Sequence, residues 1–315
     1  MKIHHWKLLR FLAFSLIVLA SFKIVERHEQ IKKPTISFTF DDGQIRDIGA
    51  YELKKWNQNL LNNLEKHNLK SIFFSAGANK TSKNGEYVLQ SWNNAGHFIA
   101  NHTVNHPNFN NEKVSLENFK NELRQNDAII KKYSNYIPYF RFPYLKEGNT
   151  PEKVNGFRSF LKEKGYKNGH VTVDASDWYI DQRLVSRLKE NPKADISGFR
   201  EYYKNHLLNR ALFYDSLSFQ LTDRRIHHVM LLHHNLAASL FLDDLIQHFK
   251  NNGWEVMDAY KAYEDKIYEI EVDPIPAGES LIWAMAKKLG KFEEVLRYPP
   301  EDSSYEKANM NKLGL

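Results

Sequence analysis

Seven short apolar segments recur along the chain, separated by segments that read as helical, and this alternation limits the fold more than any other feature of the sequence. Thr35-Ile-Ser-Phe-Thr-Phe40 alternates with period two and ends on Asp41-Asp42-Gly43, the pattern of a strand running into a turn. Leu53, Trp56, Leu60, Leu61 and Leu64 then recur at helical spacing before Ser71-Ile-Phe-Phe-Ser75, which gives strand, helix, strand. Further strands are expected at 97–101, 137–142, 169–174, 228–233 and 254–258, with helices at 115–133, 151–164 and 238–252 among the intervening segments. Such an order implies parallel pairing with crossover helices, either closed into a barrel or open as a doubly wound sheet. There is no internal repeat or low-complexity tract.

Two stretches do not fit a plain alternation. About fifty residues separate Trp178 from His228, too many for a simple crossover; Phe199-Arg-Glu-Tyr-Tyr203 and Leu207-Leu208 through Leu221 read there as extra helices in an insertion at 180–227. Beyond Asp258 lies a tail with Asp273-Pro-Ile-Pro276, a helix-like run near 279–289 and Pro299-Pro300, which is expected to pack on the barrel as an extension.

The N-terminus carries basic residues through Arg10, then the uncharged stretch Phe11–Phe22, ended by Lys23. This is the charged n-region and short h-region of an export signal. At twelve residues the stretch falls short of the roughly 18–20 that span a membrane as a helix. Residues 1–22 are therefore expected to be a signal peptide, cleaved after Ala20 or kept as an N-terminal anchor, followed by a polar linker at 23–34. The expected location is the periplasm, the exterior or the outer side of the inner membrane, with membrane contact through that anchor alone. Of the formal charge of +6, half comes from Lys2, Lys7 and Arg10, and no long basic run follows, which argues against a nucleic-acid partner. The chain has no cysteine, so thiolate nucleophiles, Cys-ligated zinc and disulfides are excluded.

In parallel α/β folds ligands bind at the C-terminal ends of strands, so what each strand runs into is informative. The first meets Asp41-Asp42, the third Asn101-His-Thr-Val-Asn-His106, the fourth Arg141-Phe-Pro-Tyr144, the fifth Asp174-Ala-Ser-Asp-Trp178, and the sixth ends Leu231-Leu-His-His234. Two adjacent carboxylates off a buried strand are costly to ionise together unless a cation compensates. His102 and His106, spaced i, i+4, share one face if the segment is a helical turn. With Asp42 they make a His-His-carboxylate triad with open coordination positions, the layout used by hydrolytic zinc and related sites. Arg141 is placed to keep Asp41 ionised and oriented, and Asp174 can pair with Arg141 or with His233. Trp178 and Tyr179 would stack on a pyranose ring in a sugar cleft, whereas His4, His5, His67, His97, His227 and His248 need no catalytic role.

With these segments the chain resembles the polysaccharide deacetylases with a NodB-homology domain, carbohydrate esterase family 4, from about Thr35 to Asp258. Thr39-Phe-Asp-Asp42 is similar to the first family motif, His102-Thr-Val-Asn-His106 to the second, Arg141-Phe-Pro-Tyr144 to the third, Asp174-Ala-Ser-Asp-Trp178 to the fourth and Leu231-Leu-His233 to the fifth. The resemblance implies a distorted (β/α)7 TIM-like barrel at 35–265, here with a helical insertion and a C-terminal extension at 266–315. It implies a divalent metal, Zn²⁺ or Co²⁺, Ni²⁺ or Mn²⁺, held by Asp42, His102 and His106, with Asp41 as base and His233 as acid. Arg141 and Asp174 belong to the same catalytic set, a backbone N–H near Tyr144 would meet the oxyanion, and Tyr144, Trp178 and Leu231 are expected on the substrate side. His234 departs from the family pattern, where Asp often follows the fifth-motif histidine; alignment on Leu231 favours His233 as the residue facing the site. The implied activity is removal of N-acetyl groups from an amino-sugar polymer such as peptidoglycan, an exopolysaccharide or chitin. The alternatives are a non-catalytic wall-binding protein on the same barrel and a hydrolase of a small non-sugar amide.

Overall fold

The computed structural model describes residues 33–298 and 300–315, and Thr35–Leu315 form one unit. The expected signal or anchor and nearly all of the linker lie outside the described residues; among those described, no helix is long and apolar enough to cross a membrane.

The strands are β1 (Thr35–Asp42), β2 (Ile72–Ser75), β3 (Phe98–Asn101), β4 (Tyr136–Phe140), β5 (Lys146–Gly148), β6 (Lys167–Asn168), β7 (His227–His233), β8 (Glu255–Val256) and β9 (Ala277–Gly278). Between and after them run α1 (Leu53–Lys66), α2 (Lys83–Asn94), α3 (Leu116–Ile130), α4 (Pro151–Glu163), α5 (Asp177–Glu190), α6 (Ser197–Thr222), α7 (Leu236–Asn251), α8 (Ala259–Ala262), α9 (Leu281–Leu289) and α10 (Ser303–Lys312).

The main sheet is parallel and curled, in the order β6-β4-β3-β2-β1-β7, with β8 joined to the start of β1. β1 is its axis. It pairs with β7 from Thr35↔His227 to Asp41↔His233, while β2 takes the C-terminal half of its other edge and β8 the first two residues. The ring closes without a full ladder: Val173 bridges Met230, and the Leu231 N–H donates to the Val173 carbonyl at 3.0 Å. This is the distorted α/β barrel that the family resemblance implies, one of the two arrangements the alternation leaves open.

Local chemistry explains most boundaries. α1 buries Leu53, Trp56, Leu60, Leu61 and Leu64, the residues whose spacing predicted it. Ser82, Ser115, Thr150 and Asn235 cap α2, α3, α4 and α7 by accepting a hydrogen bond from a first-turn N–H. β4 ends before Arg141 instead of reaching residue 142, because Tyr144 and Leu145 both take positive φ in a 3-10 turn at Pro143–Leu145 that no strand can continue.

Other expectations change. Of the strand expected at 169–174 only the single bridge at Val173 remains, with β6 just before it, since the N–H groups of Thr172 and Val173 both reach the Val229 carbonyl, at 3.0 and 3.1 Å, and so cannot form a regular ladder. The two helices expected at 199–203 and 207–221 are one helix, α6, of 26 residues. It buries residues on several faces, including Tyr203, Leu207, Ala211 and Tyr214, so a one-stripe pattern could not reveal its continuity. α5 starts inside the fourth motif, and α10 follows the one tail helix that the sequence suggests. The tail joins the main core: Leu281, Ile282, Met310 and Leu315 are buried in it, and β9 pairs antiparallel with β5.

Candidate metal centre and active site

β1 delivers two carboxylates to different places because successive strand side chains alternate and Asp42 then turns out at φ 70. Asp41 is 2% exposed and ion-pairs with Arg141. Arg141, 1% exposed, also donates to the Gly169 carbonyl and the Tyr263 hydroxyl, both at 2.8 Å, and lies 3.8 Å from the centroid of the Phe74 ring. The guanidinium is thus fixed on all sides, and its charge is spent on Asp41.

Asp42 faces the histidines. Its Oδ1 lies 3.5 Å from His102 Nε2 and 3.3 Å from His106 Nε2. Two ligands about 2.1 Å from an ion at a tetrahedral angle lie about 3.4 Å apart, so these spacings suit a shared cation. The same Oδ1 is buried with no hydrogen-bond partner among the described residues. Burial alone would raise the Asp42 carboxyl, but His102, His233 and His106 together hold it far below the usual carboxylate range. His102 Nδ1 is 2.8 Å from the Arg141 carbonyl, which accepts a hydrogen bond from Nδ1–H and so leaves Nε2 with a lone pair toward Asp42. The Asp-His-His donor set therefore fits a divalent metal.

The histidine pair is not on a helical turn, as the i, i+4 spacing suggested. The segment after β3 is a loop in which Thr103 and His106 take positive φ, and the His106 N–H is tied to the Thr103 hydroxyl at 3.1 Å. The two rings still approach to 4.8 Å between centroids.

His233, at the end of β7, lines the same pocket, whereas His234 is fully buried against Trp56, with Nε2 2.8 Å from Asn57 Oδ1. The pairing expected for Asp174 is corrected: Arg141 holds Asp41, and His233 Nδ1 lies 2.7 Å from Asp177 Oδ1, with the His233 N–H donating to Asp177 Oδ2 at 2.9 Å. Burial would lower the His233 pKa, but the Asp177 carboxylate, with smaller help from Asp42 and Asp41, pushes it up to about 10. Asp174 lines the pocket, pushed up to about 7 by burial and by Glu301 and Glu279. The motif Asp174-Ala-Ser-Asp-Trp178 displayed both acids; the choice between them depends on Asp177 opening α5, where Ser176 at φ 50 turns its carboxylate to β7.

The pocket has a volume of about 620 Å³ and joins the triad to Tyr144, Leu231 and Trp178. A second lobe of about 480 Å³, with Gln44, Arg46 and Lys189 in its lining, shares Asp42, Trp178 and His233 with it. Tyr144 is 58% exposed and Trp178 41%, so both rings offer a face, while Tyr179, at 8%, does not. Sequence reasoning missed Tyr263, which buttresses Arg141, and the contribution of the tail, whose Glu279, Pro300, Glu301 and Asp302 wall the pocket. No local pattern marks these residues, because they act through long-range contacts.

Residues 28–167 match the family model described as polysaccharide deacetylase. Two peptidoglycan-N-acetylglucosamine deacetylases of Bacillus cereus are 29% identical over 147 residues (46% of this chain, 47% of the relative) and 31% identical over 148 residues (47% and 48%). The chain thus matches about half the length of these relatives. Among solved structures, a peptidoglycan N-acetylglucosamine deacetylase crystallised with a hydroxamate-bearing naphthyl benzamide aligns with TM-score 0.51 at 20% identity, over 74% of this chain and 89% of that one. A polysaccharide deacetylase from Bacillus cereus aligns with TM-score 0.51 at 21% identity, over 72% and 92%. At that identity the structural likeness speaks to the fold.

Proposed function

We propose that the protein hydrolyses N-acetyl groups on an amino-sugar polymer, with peptidoglycan N-acetylglucosamine the first substrate to try; the match of residues 28–167 to the polysaccharide deacetylase family model supports this reading. The observation that carries the reading is the buried, unpartnered Asp42 Oδ1 facing two imidazole nitrogens, with an Arg-held carboxylate and an Asp-held histidine on the same pocket.

A divalent metal held by Asp42, His102 and His106, Zn²⁺ or Co²⁺, Ni²⁺ or Mn²⁺, would supply Lewis-acid polarisation of the acetyl carbonyl and a lowered pKa for water. Asp41 takes the proton from the attacking water, and Arg141 holds that carboxylate in place. As the carbonyl becomes an oxyanion, a backbone N–H near Tyr144 meets its charge. His233, kept protonated by Asp177, gives its proton to the departing nitrogen, and Asp174 is coupled to it electrostatically. The C–N bond breaks, releasing acetate and leaving a sugar amine. Trp178 and Tyr144 offer rings for stacking on sugars, and Leu231 supplies apolar wall beneath them. The basic and apolar N-terminal pattern supports work outside the cytoplasm.

The test is acetate release from peptidoglycan, exopolysaccharide and chitin fragments, with metal removed and restored. Activity that needs the metal and vanishes in Asp42→Ala supports the proposal. Full activity without metal would overturn the mechanism, and no release from any polymer by metal-loaded protein would move the reading to a binding role or a small amide.

A further inference from the structure

We propose that Glu301, in the C-terminal tail, is a positioning residue for the His233–Asp177 pair; this rests on the reaction proposed above. Glu301 is 4% exposed and takes a left-handed backbone at φ 45. Its carboxylate pairs with Arg210 of α6, accepts from the Tyr214 hydroxyl at 3.1 Å and from Arg297 at 3.0 Å. Arg297 is in turn held by Glu306 of α10 at 2.8 Å. With its oxygens so committed, Glu301 has no need to touch substrate, although it lines the pocket.

What Glu301 does reach is the loop that carries Asp177. Its backbone carbonyl accepts from the Ser176 hydroxyl. Ser176 is left-handed at φ 50, a sparsely populated conformation for a serine that persists only where the surroundings impose it. The opposite side of the loop is held by α6, where His206 Nε2 donates to the Ala175 carbonyl at 2.9 Å. Asp177, the next residue, places one oxygen on His233 Nδ1 and the other on the His233 N–H. A continuous chain of contacts therefore runs from α6 and the tail, through Ser176, to the proposed acid.

The Arg210–Glu301–Arg297 cluster is a weak source of stability, because desolvation of buried ions offsets most of their attraction. What such a cluster can supply is a fixed geometry. Misplacing a reacting group by about 1 Å can cost on the order of 100-fold in rate, so a loosened loop should appear in kcat before it appears in folding. This gives the tail and the insertion, which lie outside the five motifs, a shared role.

The experiment compares Glu301→Ala, Glu301→Gln and Ser176→Ala in the parent and in a His233→Ala background, with melting temperature and metal content measured alongside. Ser176→Ala removes a single hydroxyl and keeps the test open if Glu301→Ala fails to fold. In the parent, Glu301→Ala and Ser176→Ala should lower kcat about 10- to 100-fold with KM within about twofold, and Glu301→Gln should retain most of the rate. In His233→Ala the same changes should cost less than about twofold, since the group they position is gone. A second readout is independent of turnover: the His233 Nδ1 proton held on Asp177, assigned by its loss in His233→Ala, should shift or exchange faster in Glu301→Ala and Ser176→Ala. An equal loss of rate in both backgrounds, or an unchanged imidazole proton, would overturn the inference. A parent that releases no acetate would sink the proposed reaction instead, and the imidazole proton would still decide the positioning.

Discussion

Replacing Arg141 with methionine separates the contribution of the buried ion pair to stability from its contribution to chemistry. Arg141 and Asp41 are 1% and 2% exposed and in direct contact, so the substitution strands a carboxylate in the barrel interior. Removing one member of such a pair costs about 3–5 kcal/mol, and the Gly169 carbonyl, which loses its donor, adds about 1 kcal/mol. At roughly 2 °C per kcal/mol for a chain of this size, the melting temperature should fall by roughly 10 °C. The informative comparison is Asp41→Asn combined with Arg141→Met. With both charges gone, stability should return to within about 2 kcal/mol of the parent, because a buried pair as a whole contributes little. Activity should be absent in both variants, since the proposed base is unpaired in one and missing in the other. Urea unfolding followed by tryptophan fluorescence, with acetate release on the same samples, reads both quantities. A cost below about 1 kcal/mol for Arg141→Met, or a double variant less stable than the single one, would refute the reasoning.

Asp177→Asn keeps the shape of the His233 contact but removes the charge that raises the imidazole to about 10, and should lower kcat on the order of 100- to 10,000-fold with little change in KM; steady-state kinetics with equal metal loading checks this, and a loss under tenfold would count against His233 as the acid. His97 is held neutral by burial, its pKa lowered to about 3, while its ring accepts from the Ser71 N–H at 3.1 Å. Because the folded pKa lies below the unfolded value of about 6.5, the unfolded chain gains a proton first as pH falls, and stability is lost by about 1 kcal/mol between pH 6.5 and 5.5 from this residue. His97→Gln should reduce the loss of stability over that window by about 1 kcal/mol, and an NMR titration of His97 above pH 5 would contradict the assignment. Gly278→Ala places a Cβ 1.9 Å from the Leu145 carbonyl oxygen at a backbone φ of 122, so it should loosen the β5–β9 pairing and cost roughly 2–4 kcal/mol, read by urea unfolding; a neutral result would mean that the tail is not docked there.

The sequence by itself determined the alternating architecture, the positions of the candidate catalytic side chains at strand ends, and the candidate metal set. Those are consequences of local pattern: period-two runs such as Thr35–Phe40, helical stripes such as Leu53 to Leu64, and polar residues that interrupt them where a parallel strand ends. Tertiary structure alone decided which partners those side chains meet. It replaced the helical turn at His102–His106 with a left-handed loop, gave His233 to Asp177 rather than Asp174, buried His234 against Trp56, and brought Tyr263 behind Arg141. It also joined two expected helices into α6 and fastened the tail to the loop before Asp177 through Glu301. Each of these depends on contacts between residues tens to more than a hundred positions apart, whose geometry arises from packing the barrel, the insertion and the tail into one core, and local spacing carries no record of it.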